Sequence, residues 1–215
     1  LASGVKANIL SRITAKTAAT MLKMGSHIDE VIETMARTLP VDKVRNLAYS
    51  TFSILQVFKD GRSYLAEFDN PKSYFGCGDS LQNLRRATRI IDEKAIREAH
   101  FHLKEGNWLV MLSDGVLHAG IGAVWNFGWG EIQVGRFIKK LAAADYEAAD
   151  WASEITAQCN LLYGGLPGDD VSIVVVKARK ARKLTALVGP PRESEKDRSA
   201  VKKLAGAAGV KVVCG

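Results

Sequence analysis

The feature that most constrains the fold is a run of short β-branched and aromatic segments in the middle of the chain, with helical patterns on either side. Residues 49–58 and 63–68 flank Lys59-Asp60-Gly61-Arg62, which is typical of a β-hairpin turn. Segments of the same character predict further strands at residues 73–77, 86–91, 98–103 and 107–112. Glu105-Gly106 supplies a turn between the last two, so we expect an antiparallel meander.

Helices are predicted before and after these strands. Apolar residues recur near the helical period over residues 3–24 and again from His27 to a stop before Pro40. After a glycine-rich loop at residues 120–130, the same period predicts helices at 132–144 and 148–163, and the apolar run 171–176 predicts one strand buried on both faces. Helices grouped at the ends of a run of strands indicate an α+β protein with a mostly antiparallel sheet.

The C-terminal part of the chain has a different rhythm. Five of the charges behind the net charge of +7 lie in residues 177–183. We interpret residues 179–183 as a basic connector and residues 184–215 as a small βαβ-like extension, truncated at its end, that could regulate the domain or pair it with another chain, such as a second copy in a homodimer. A run this short predicts weak, salt-sensitive attraction to nucleic acid, with no specific binding.

Two further patterns bear on where the protein works. No segment approaches the 18 consecutive apolar residues of a membrane span, so we expect none. The three cysteines, Cys77, Cys159 and Cys214, are an odd number without C-x-x-C spacing. That usage indicates a reduced, cytoplasmic protein.

Two acidic turns interrupt buried-looking strands and are the candidates for chemistry. Ser113-Asp114-Gly115 ends the apolar run 108–112, and Gly168-Asp169-Asp170 precedes the strand at 171–176. Carboxylates held at strand ends repel one another unless a cation neutralises them, and oxygen ligands suit Mg²⁺ and Mn²⁺. Taken singly, each motif is also typical of an ordinary solvated turn, and their spacing alone does not establish that they meet.

The two motifs carry a resemblance to a known family. Residues 107–116 (NWLVMLSDGV) and 167–176 (PGDDVSIVVV), preceded by the helix start Ser3-Gly4-Val5-Lys6-Ala7, resemble the metal-dependent, type 2C-like protein serine/threonine phosphatases. The likeness is greatest for the branch of the bacterial stage II sporulation protein E, a signalling phosphatase of sporulation. It covers about residues 1–180 and implies a domain at residues 1–178, built as a four-layer α-β-β-α sandwich of two mostly antiparallel sheets.

The resemblance also implies the site. It points to Asp114 and Asp169 as ligands of two Mn²⁺ or Mg²⁺ ions, with Gly115 in the same set and with Asp170 and Ser113 behind them. A further Asp-Gly pair of the family would lie at or just before Leu1. The N-terminal strand and this motif of the family are therefore expected to be missing from the chain.

The implied activity is direct hydrolysis of phosphoserine or phosphothreonine in a protein partner by metal-activated water, without a side-chain nucleophile. The sequence shows no G-x-x-x-x-G-K-[ST], H-E-x-x-H or G-x-S-x-G motif, which agrees with that chemistry. His118 is a candidate proton donor or a plain loop histidine, and Arg12 is a candidate phosphate contact or part of a solvated helix face. The alternative function is a catalytically degenerate module of this fold that senses or binds a partner.

Overall fold

The computed structural model describes residues 2–38, 51–124, 126–144, 146–165, 168–179 and 210–214. The helices are α1 (Ala2–Lys23), α2 (Ile28–Thr38), α3 (Asp114–Leu117), α4 (Gly130–Ala142) and α5 (Ala148–Leu162). The strands are β1 (Phe52–Val57), β2 (Arg62–Phe68), β3 (Tyr74–Cys77), β4 (Ser80–Gln82), β5 (Ala87–Ile91), β6 (Lys94–His102), β7 (Asn107–Leu112), β8 (Ile173–Lys177) and β9 (Val210–Cys214). The predicted α+β class is confirmed.

The strands form two antiparallel sheets, with the orders β5-β6-β2-β1-β9 and β4-β3-β7-β8. The predicted hairpin of β1 and β2 is confirmed, with Val57 opposite Ser63. The continuous meander is wrong, because β6 pairs with β2 and β5 whereas β7 pairs with β3 and β8. The Glu105-Gly106 turn therefore carries the chain from one sheet to the other instead of closing a hairpin.

Four layers follow from the alternation of side chains along the strands. Between the two sheets lies a core that includes Leu55, Leu65 and Leu109. The outer face of the first sheet packs on α2 and on the second half of α1, through Ala18, Met21 and Leu22. The outer face of the second sheet packs on α4 and α5. Strand β7 is buried along its whole length, because Leu109 and Met111 face the other sheet while Trp108, Val110 and Leu112 face the helices.

Three details differ from the sequence prediction. Strand β4 and the single helical turn α3 have no sequence signal beyond a turn. Strand β8 is half-buried at every residue and not buried on both faces, because among the described strands it lies at the edge of the second sheet. Of the predicted C-terminal extension, β9 pairs with β1 in the first sheet, and residues 184–209 lie outside the described residues.

None of the helices in the described part of the chain is both long and apolar enough to cross a bilayer. Of the basic connector only Arg179 is described, and Lys177 of β8 lies just before it. Lys177 Nζ lies 4.9 Å from the ring centroid of Trp151, and Arg179 forms an ion pair with Glu147. These two cations are therefore held against the second helical layer.

Candidate metal centre

Antiparallel pairing of β7 with β8 brings the two acidic turns together. The last pair of the ladder joins Leu112 to Ile173, so the residues after β7 lie beside those before β8. The Ser113 N–H donates to Ser172 O at 3.0 Å, and the Ser172 N–H donates to Ser113 Oγ at 2.9 Å. The same Ser113 hydroxyl donates to Asp170 O at 2.9 Å. Buried Ser113 thus fixes the separation of the two turns.

Three side chains converge at this point. The ligand atoms of Asp114, His118 and Asp169 all lie within 4.8 Å of one another, and all three residues are exposed. His118 Nδ1 lies 3.7 Å from Asp169 Oδ2. Two carboxylates at this separation fit a divalent cation, because carboxylate oxygen suits Mg²⁺ and Mn²⁺, and the imidazole lies beside them.

Helix α3 explains why Asp114 and His118 lie on one side. Residues four apart on a helix share a face, and the His118 N–H donates to Asp114 O at 2.9 Å. The loop that follows folds back on this turn at Gly128, where φ is +79°. A Cβ there would lie 2.5 Å from Leu117 O and 2.8 Å from His118 Cα, so only glycine allows this approach.

Gly115 allows the closest contact between the turns. A Cβ on it would lie 2.4 Å from Asp170 O. Each carboxylate accepts a backbone N–H through Oδ1: Gly115 donates to Asp114 at 3.0 Å, and Asp170 donates to Asp169 at 2.8 Å. These bonds orient the carboxyl groups, and Asp169 Oδ2 is left facing His118.

Tyr163 belongs to this site, and the sequence analysis missed it. Its hydroxyl donates to Gly115 O at 2.6 Å, across 48 positions of the chain. Burial raises the pKa of Tyr163, and the nearby charges of Asp169 and Asp114 raise it further. In the sequence Tyr163 marks only the end of a helix, and no local pattern distinguishes it from a packing residue.

The structure thus brings together five of the predicted site residues and the candidate acid: Ser113, Asp114, Gly115, Asp169, Asp170 and His118. The Asp170 side chain is exposed, and its backbone makes the contacts just described. Arg12 is exposed on α1, which lies against α2 and β9. Its contact with phosphate stays a prediction.

The comparisons with known proteins agree with this architecture. Residues 3–179 match the family model of Stage II sporulation protein E (SpoIIE). The chain is similar to the phosphatase domain of the cell fate determinant SpoIIE from Bacillus subtilis, at 19% identity over 78% of this chain and 74% of that chain, with a TM-score of 0.52. A Mn-presoaked structure of that domain has 18% identity, coverage of 84% and 76%, and a TM-score of 0.51. The SiaA-PP2C domain of Pseudomonas aeruginosa has 17% identity, coverage of 80% and 68%, and a TM-score of 0.56.

Comparison with curated proteins yields no match. At the identities above, the solved structures establish the fold, whereas the family model spans most of the chain. The layers, the paired acidic turns and the family match agree. The chain belongs to the stage II sporulation protein E family and has the fold of its type 2C-like phosphatase domain.

Proposed function

We propose that this protein is a Mn²⁺- or Mg²⁺-dependent phosphatase that hydrolyses phosphoserine or phosphothreonine in a protein partner. The observation that carries the proposal is the convergence of Asp114, Asp169 and His118 within 4.8 Å at the end of the β7–β8 ladder. The resemblance to the phosphatase family implies that the two aspartates are the metal ligands. The proposed site holds two ions, with Gly115 in the same ligand set.

The donor chemistry supports a hard cation. Asp114 and Asp169 place two negative charges close together, which is unfavourable without a neutralising ion. The Mn-presoaked structure of the Bacillus subtilis domain belongs to a relative of the same fold, and it supports Mn²⁺ as the first ion to test. When bound, such ions supply charge neutralisation for phosphate and lower the pKa of water.

The protein's own residues supply positioning and a proton. Ser113 holds the two turns at a fixed separation through three hydrogen bonds, so the aspartates are placed before a ligand arrives. We assign His118 the donation of a proton to the leaving serine or threonine oxygen, because its imidazole is exposed beside both carboxylates.

The experiment is turnover of a phosphopeptide and of p-nitrophenyl phosphate with Mn²⁺, together with calorimetric titration of Mn²⁺. D114N and D169N each remove a ligand charge, and we expect them to lose both turnover and Mn²⁺ binding. H118A is expected to keep Mn²⁺ binding and to lose phosphopeptide turnover by about 100-fold or more, with a much smaller loss for p-nitrophenyl phosphate, whose leaving group needs no proton. D79N is the matched control, because Asp79 is an exposed aspartate in the turn between β3 and β4.

Activity that survives D114N, D169N and excess chelator would refute the phosphatase assignment. A calorimetric titration that shows no Mn²⁺ binding, together with no turnover, would favour the degenerate module that senses or binds a partner. The same titration therefore separates the two functions.

A further inference from the structure

Tyr163 lies outside the two acidic turns and contacts both of them. It follows α5 directly, and its hydroxyl donates to Gly115 O at 2.6 Å. Its ring lies against the second turn, since a Cβ on Gly168 would be 3.6 Å from Tyr163 Cε1. One half-buried side chain thus connects the end of α5 to the residues next to Asp114 and Asp169.

The hydrogen bond from Tyr163 matters because of where its acceptor, the Gly115 carbonyl, lies. Gly115 lies in α3, a helix of only four residues, which is too short to hold its own geometry. After Gly115 the turn tightens, because the Ala119 N–H donates to Val116 O. The Gly115 carbonyl is available to the tyrosine hydroxyl, and that bond anchors the turn that carries Asp114.

We propose that Tyr163 is a positioning residue for the metal centre: its hydroxyl holds the Asp114-Gly115 turn against the Gly168-Asp169 turn in the arrangement that binds the cation. This inference rests on the proposed function. Tyr163 donates to the carbonyl of Gly115, whose second lone pair is left for the cation, so its effect is on cation affinity and not on the chemical step. Loss of one hydrogen bond between neutral groups corresponds to about a fivefold change in an equilibrium constant.

The test compares Y163F with Y74F in the full chain. Tyr74 is a matched control, because it is also half-buried and its hydroxyl also donates to a backbone carbonyl, that of Glu131, at 2.8 Å. Each variant keeps its ring and loses one hydrogen bond of the same type. The readouts are Mn²⁺ affinity by calorimetry, thermal unfolding without metal, and the Mn²⁺ concentration that gives half-maximal turnover.

We expect Y163F to weaken Mn²⁺ binding about fivefold and to raise the half-maximal Mn²⁺ concentration by the same factor, with turnover at saturating Mn²⁺ little changed. Y74F should lower the unfolding temperature about as much as Y163F does, and it should leave Mn²⁺ affinity as in the wild type. p-Aminophenylalanine at position 163 restores a donor on the ring, and it should recover most of the lost affinity even where Y163F folds poorly.

Two results would overturn the inference alone: a Y163F variant that binds Mn²⁺ as the wild type does, or equal weakening by Y163F and Y74F. In both cases the wild-type protein still binds Mn²⁺ and the proposed function stands. A wild-type protein that binds no Mn²⁺ would overturn both.

Discussion

Replacement of Gly115 by alanine tests the geometry of the site most directly, because two physical effects predict opposite signs. Gly115 lies in α3, and glycine in a helix costs about 1 kcal/mol relative to alanine. Helix propensity alone therefore predicts that G115A is stabilising. The packing predicts the reverse, since the new Cβ would lie 2.4 Å from Asp170 O, a backbone atom that cannot rotate away.

The size of the effect follows from that distance. A carbon–oxygen contact normally requires about 3.3 Å or more, so the two turns must separate by about 1 Å. Overpacking of this kind costs about 2 kcal/mol, and the displacement also strains the Ser113 hydroxyl bond to Asp170 O, which is worth about 1 kcal/mol. After the gain in helix propensity, we expect a net loss of about 2 kcal/mol, or about 6 °C in Tm for a domain of this size.

The assay is urea unfolding of G115A beside G135A. Gly135 lies in α4, where a new Cβ would meet the Tyr74 ring at 3.2 Å, a side chain that can shift by a few tenths of an ångström. G135A should therefore change stability by less than about 1 kcal/mol. G115A should also weaken Mn²⁺ binding, because the aspartates move apart. A G115A protein as stable as the wild type, with unchanged Mn²⁺ affinity, would refute the close approach of the turns.

Two further predictions concern stability outside the site. Glu67 is fully buried and pairs with Arg86 Nε at 2.9 Å and with Arg97 Nε at 3.6 Å, so E67Q leaves two half-buried cations without their charge partner. Urea unfolding should show a loss of about 2 kcal/mol, against less than about 0.5 kcal/mol for E33Q in the exposed pair on α2. Burial raises the pKa of Cys159 to about 11, so the folded thiol stays protonated where the unfolded thiol ionises. The stabilising contribution of this thiol is complete below about pH 9 and is lost as the pH rises to about 11. C159A should therefore flatten the alkaline decline in the free energy of unfolding.

Much of the fold was predictable because its signals are local. The period of apolar residues identified α1, α2, α4 and α5, and alternation with turn chemistry identified the β1–β2 hairpin. The residue types of the two acidic turns suggested cation chemistry, since the ligand preferences of hard cations do not depend on the fold, and the family resemblance pointed to Asp114 and Asp169 as the ligands. Cation binding there stays a prediction.

The assignment of strands to sheets was not local. The tight turn at Glu105-Gly106 favours pairing of β6 with β7, yet β7 is apolar on both faces and gains more by insertion between β3 and β8, where one face packs on helices and the other on the opposite sheet. Burial of both faces is a property of the assembled layers, so periodicity within one segment does not report it.

The amino-acid sequence by itself determined the helices, most of the strands, and the acidic residues at the ends of two of them. Tertiary structure alone decided that those ends meet, because the pairing of β7 with β8 joins segments about 60 residues apart. It also decided that Tyr163 reaches Gly115, since a hydrogen bond across 48 positions depends on where α5 packs and on no neighbour in the chain.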